Sequence, residues 1–142
     1  MAWIRLDENF PDHPKAIAVG GDACWLHVCA LAYCNRNRTD GLVPTGVVLR
    51  LSDRRRPEDL VERLLEAVMW HGAGDVCESD DCPAFAGVPD GSFAIHDFLR
   101  YQPTRAELEE QHAQKVAAGR AGGHAKARQT AKRNGSKGLA DG

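Results

Sequence analysis

Residues 45–70, TGVVLRLSDRRRPEDLVERLLEAVMW, read as two helices joined by a polar turn. Thr45 to Leu51 is a short helix candidate, and Ser52-Asp53-Arg54-Arg55-Arg56 is the turn. Pro57 then suits a first helical position, where its missing N–H has no partner to lose. From Glu58 to Trp70, Leu60, Val61, Leu64, Leu65, Val68 and Met69 recur at helical spacing. Glu58, Asp59, Glu62, Arg63 and Glu66 occupy the opposite face.

Upstream, residues 23–34 are apolar nearly all round, which predicts a central buried helix that Asp22 can cap. It ends in the polar run 35–41. Leu42-Val43-Pro44 is a short extended piece. Nearer the N-terminus, Trp3-Ile4-Arg5-Leu6 alternates like a short strand, and residues 13–19 suggest a short helix opened by Pro14. Downstream, residues 71–92 are rich in Gly, Asp and Pro and read as a long loop. Residues 92–99 read as a strand entering a turn, so Trp70 and Phe93 can bracket a two-stranded wing. Thr104 and Glu107 form a capping box for a last helix, from Arg105 to about Ala118, with Gly119 ending it.

This order predicts a mostly α fold with a small β-hairpin, a winged helix-turn-helix. The winged domain spans residues 1–102 and the C-terminal helix 103–118. Residues 119–142 have almost no core-forming side chains and are expected to be a disordered basic tail.

The chain has 142 residues and a formal net charge of -2, which hides a strong polarity. Residues 1–112 carry 11 Lys/Arg and 19 Asp/Glu, whereas residues 113–142 carry seven cations and one acid. An acidic body therefore precedes a basic tail, and such asymmetry points to a polyanionic or acidic partner. No apolar run reaches the roughly 20 residues that span a bilayer, and no secretory signal opens the chain. Five cysteines, an odd count, fit a reducing cytoplasm.

The stretches WIRLDENFPDHPK (3–15), LHVCALAYCNRNRTDGLVP (26–44), LVERLLEAVMWH (60–71) and SFAIHDFLRYQPTRAE (92–107) resemble a group of small actinobacteriophage and prophage helix-turn-helix proteins. These are described as DNA-binding or replication-initiation proteins. They are similar to the winged-helix N-terminal domains of phage replisome organisers and DnaD-type primosome proteins. The segment AAGRAGGHAKARQTAKRNGSK (117–137) looks like the linkers that follow such domains. The resemblance implies DNA as partner, a role in replication initiation or regulation, and a bacterial host cytoplasm.

For DNA contact, the second helix of the pair would enter the major groove. Its exposed face is acidic, leaving Arg63 as its one candidate for a base edge. Arg50, Arg54, Arg55 and Arg56 stand at that helix's N-terminal end, where backbone N–H groups also favour anions. Arg36 and Arg38, closing the central helix, are expected nearby. These arginines read either as a phosphate clamp or as a solvated turn. The tail's Lys126, Arg128, Lys132 and Arg133 suit non-specific contact with phosphates. The tail has no aromatic residue for stacking on bases. The rival reading is a protein-interaction module for self-association or for a helicase or loader.

Cys24, Cys29 and Cys34 recur every five residues and point in different directions on a helix, so they read as small buried hydrophobes. Cys77 and Cys82 differ, for they lie in the polar loop with His71 before and His96 after. They leave three readings open: free thiols with no cofactor, a zinc site with both histidines, or a disulfide. His96 and Asp97, adjacent on a strand, are expected to face opposite sides. No motif for an enzyme is present, and none is expected.

Overall fold

The computed structural model describes residues 3–53 and 56–140. The described chain is mostly helical, with one small antiparallel sheet. Residues through Arg105 form one compact unit, and those from Ala106 onward a second.

In the first unit, α1 (Pro14–Val19) starts on a proline, and His13 Nδ1 accepts the Lys15 N–H at 3.1 Å. Gly20, at φ 83°, turns the chain directly into α2 (Gly21–Asn37). Gly20 is the N-cap, and Asp22 falls within the first turn, so the expected Asp22 cap is not made. Ala23, Leu26, His27, Ala30, Leu31 and Cys34 are buried at helical spacing. The helix is nevertheless not buried all round, since Trp25 is 63% exposed. Arg38, in the left-handed region at φ 54°, ends it.

Strand β1 (Leu42–Pro44) follows, then α3 (Thr45–Leu51) and α4 (Pro57–Glu66). Leu60, Val61 and Leu64 of α4 are buried against the core, and its five charged side chains face solvent. Helix α4 stops at Glu66, short of the expected Trp70. Val68 takes φ 55°, and the Met69 N–H closes the end on the Leu64 carbonyl at 2.9 Å. Val68 therefore leaves the helical face and is 44% exposed.

Strand β2 (Trp70–His71) and β3 (Ser92–Ile95) complete a sheet of order β1-β3-β2. Leu42 pairs with Ala94 and Trp70 with Ile95, both in antiparallel register. Gly41, at φ 90°, has no room for a side chain, since a Cβ there would lie 2.7 Å from Phe98. The main core gathers Val19, Leu26, Cys34, Val43, Leu64, Trp70 and Ile95, all fully buried.

Residues 72–91 are ordered by their own backbone. Gly74 N–H donates to Val88 O, Val88 N–H to Asp75 O and Cys77 N–H to Ala84 O. A second, smaller apolar cluster of Cys82, Ala84, Val88 and Ala94 lies beneath this loop. After β3, α5 (Phe98–Tyr101) leads to Gln102. The Gln102 side chain exchanges hydrogen bonds with both backbone groups of Arg5. The predicted strand at Trp3–Leu6 does not form. That segment is instead held irregularly by Gln102, and Trp3 is 80% exposed.

Helix α6 (Arg105–Ala140) starts where the capping box predicts but continues through Gly119, Gly122 and Gly123. The expected disordered tail is thus helical over its described part. Acids lie in its first turns and cations follow, the order the helix dipole favours, and Ala, Gln, Lys and Arg are strong helix formers. Those preferences oppose the roughly 1 kcal/mol that each glycine costs. Residues 109–133 are all exposed, so α6 owes its order to local terms.

Candidate metal centre and charged surfaces

Four side chains converge at the base of the 72–91 loop. His71 ends β2, Cys77 and Cys82 come from the loop, and His96 follows β3. One ligand-type atom from each lies within 4.8 Å of all the others. His71 Nε2 is 2.9 Å from His96 Nδ1, and Cys77 Sγ is 3.6 Å from the same nitrogen. Donors about 2.0–2.3 Å from a tetrahedral ion sit roughly 3.3–3.8 Å apart, so only small shifts separate this cluster from a coordination sphere. The cluster could hold a metal ion. It is partly enclosed: Cys82 is buried, and His71, Cys77 and His96 are half-buried.

The surroundings suit thiolate ligands. Burial pushes the Cys82 thiol up, as does neighbouring Cys77, whereas the backbone N–H groups of Ala84 and Asp97 bond its sulfur and pull it down. Burial likewise lowers His71, with His96 beside it adding to the effect, so its ring is kept neutral for ligation.

Asp97 belongs to this centre, although alternation along a strand placed it on the opposite side from His96. The strand ends at Ile95 and Asp97 takes φ 53°, so alternation no longer applies. His96 Nε2 lies 3.2 Å from Asp97 Oδ2. Asp97 Oδ1 is buried without a hydrogen-bond partner. His96 and Asp97 also form part of the wall of a cleft of about 740 Å³, lined as well by Phe10, Lys15, His27 and Arg100. Sequence spacing gave no sign of this cleft, because its walls come from the N-terminal segment, α1, α2 and α5.

The cationic candidates do not gather in one place. Arg54 and Arg55 lie outside the described residues. Arg56 is exposed and 3.9 Å from Asp59, a surface pair of small energetic weight. Arg50 is exposed, and the exposed Arg63 reaches back beside Gly20. Ser52 and Asp53, in the turn between α3 and α4, share a small cavity with Asp22 and Trp25 at the start of α2. Arg36 and Arg38 close the far end of α2, about 20 Å along the axis at 1.5 Å per residue. The expected clustering of Arg36 and Arg38 with the turn is therefore corrected. The two groups are held apart by the length of α2.

Lys126, Arg128, Lys132 and Arg133 are exposed on α6. At about 100° per residue they fall within one sector of roughly 160°. Of the other three cysteines, Cys34 is buried, and burial raises its thiol to about 11. Cys24 and Cys29 are half-buried. No described helix is long and apolar enough to cross a membrane. In comparisons with protein-family models, curated proteins and solved structures, the chain finds no match.

Proposed function

We propose that the chain is a winged helix-turn-helix DNA-binding protein. Its wing is stapled by zinc, and its affinity comes from the cationic C-terminal helix. The winged-helix reading is supported by α2, β1, α3, turn, α4, β2, loop and β3 in succession, with β3 between the other two strands. Zinc is supported by the donor set. Two imidazole nitrogens and two thiolate sulfurs suit a borderline-soft tetrahedral ion, whereas magnesium and calcium take oxygen donors. The metal would be structural, joining both wing strands to the loop between them.

The observation that carries DNA binding is the cationic sector of α6. Residues 113–133 carry six Lys/Arg and no acid, and all are exposed. Such a surface meets phosphates without reading bases and releases counterions as it binds. Helix α4 is not the reader, for its exposed Glu58, Asp59, Glu62 and Glu66 would face phosphates. This acidic face favours a second reading, in which the body docks on a replication protein or on another copy while α6 holds DNA. A role in phage or prophage replication initiation or regulation fits both readings.

The test is fluorescence anisotropy of a DNA duplex against salt, using the full chain. Changing Lys126, Arg128, Lys132 and Arg133 together to Gln is expected to lower the slope of log K against log salt by about 3, at roughly 0.9 per phosphate released. An unchanged slope would remove α6 from the interface. Absence of DNA binding by the wild type at low salt would leave the protein-docking reading in its place.

A further inference from the structure

We infer that Asp97 is a positioning residue of the metal centre, fixing His96 as an Nδ1 ligand through its side chain and holding the Cys82 sulfur through its backbone. The inference rests on the zinc reading and deepens it.

The geometry of His96 leaves one arrangement. Its Nδ1 faces the cluster, 2.9 Å from His71 Nε2 and 3.6 Å from Cys77 Sγ. Its Nε2 faces away, 3.2 Å from Asp97 Oδ2. A histidine that gives Nδ1 to a metal must carry its proton on Nε2, and that proton then points at the carboxylate. A carboxylate on the outer nitrogen fixes both ring orientation and tautomer and makes the inner nitrogen a better donor. The same residue bonds the Cys82 sulfur through its N–H. One residue thus touches two of the four ligands, one contributed from the end of β3 and one from the loop.

The backbone explains how this is possible. At φ 53°, Asp97 turns the chain immediately after His96, so its carboxylate swings to the same side as the ring it follows. Asp tolerates this left-handed conformation better than most residues, as does Asn, and Gly adopts it freely. A continuing strand would have sent the carboxylate to the opposite face.

The experiment measures zinc affinity of the full chain by competition with a chromophoric chelator, for wild type, Asp97→Gly, Asp97→Asn and Asp80→Asn. Glycine removes the carboxylate while suiting φ 53° and keeping the backbone N–H. Zinc affinity is expected to fall about 10–100-fold in Asp97→Gly. Asn keeps an acceptor oxygen and is expected to recover most of that loss. Asp80→Asn, an exposed loop acid, is expected to shift affinity by no more than about threefold, as a screened surface charge does. In zinc-loaded wild type, nitrogen-15 spectra should show His96 protonated at Nε2 with slow solvent exchange, and Asp97→Gly should make that exchange fast. Zinc binding in Asp97→Gly within about twofold of a zinc-binding wild type, or a His96 proton on Nδ1, overturns this inference and leaves the zinc site standing. A wild-type chain that binds no zinc overturns both.

Discussion

His27 is buried to 9% exposure at the centre of the body, where it accepts the Trp70 Nε1–H at 3.1 Å and stacks on Phe10. Burial lowers its pKa to about 4. The folded chain therefore keeps this ring neutral, while the unfolded chain takes up a proton near pH 6.5. Stability from this residue is complete above pH 6.5 and is lost as pH falls toward 4. The loss reaches about 3 kcal/mol, at 1.36 kcal/mol per unit. Urea unfolding across pH 4–7 should show wild type losing about that much relative to His27→Gln. Equal pH dependence in the two proteins would mean that His27 is not the group responsible. The sequence marked His27 as a core or edge histidine among apolar neighbours. It could not supply the Trp70 partner, which lies 43 positions away. Asp97 was misplaced for the opposite reason: a local rule was applied one residue beyond the end of its strand.

At the scale of elements, boundaries were the weakest part of the sequence reading. The apolar spacing of Leu60, Val61 and Leu64 correctly marked a helix, but it also drew in Val68 and Met69. The helix ends earlier because Val68 adopts φ 55° to let Met69 turn inward. A β-branched residue in the left-handed region carries about 1–2 kcal/mol of strain. Its side chain is 44% exposed and returns little of that through burial. Val68→Gly is therefore expected to keep or raise stability, by up to about 1 kcal/mol after glycine's greater freedom in the unfolded chain is subtracted. Thermal unfolding reads this directly, and a loss above about 1 kcal/mol would contradict the strain account. Helix α6 shows the converse error. Its missing apolar face predicted disorder, but the order of its charges and its helix-forming composition act without any core.

At the scale of the whole molecule, the body has two apolar clusters of unequal size. The larger unites α2, α4 and the sheet, and the smaller holds only four fully buried residues beneath the loop. A domain that small gains little from burial, so a structural zinc would supply much of the loop's order. The chain purified without chelator is expected to contain about one zinc. Its removal should raise amide exchange at Gly74, Cys77, Cys82 and Val88 while α2 and α4 stay protected, as read by hydrogen exchange. An equal rise throughout would make the metal essential to the main core, and no change would mean that the loop stands by itself.

The sequence by itself determined the helix pair around Pro57, the hairpin between Trp70 and Phe93, the acidic body and the cationic C-terminal segment. Each of these is written in nearest neighbours or in spacing of a few residues, where propensity, periodicity and charge act locally. Tertiary structure decided which distant side chains meet. Antiparallel pairing of β2 with β3 brought His71 beside His96, and the loop's return placed Cys77 and Cys82 against them. The length of α2 separated arginines that had seemed neighbours. Such contacts depend on register and on where each strand stops, and those are set by packing of the whole body.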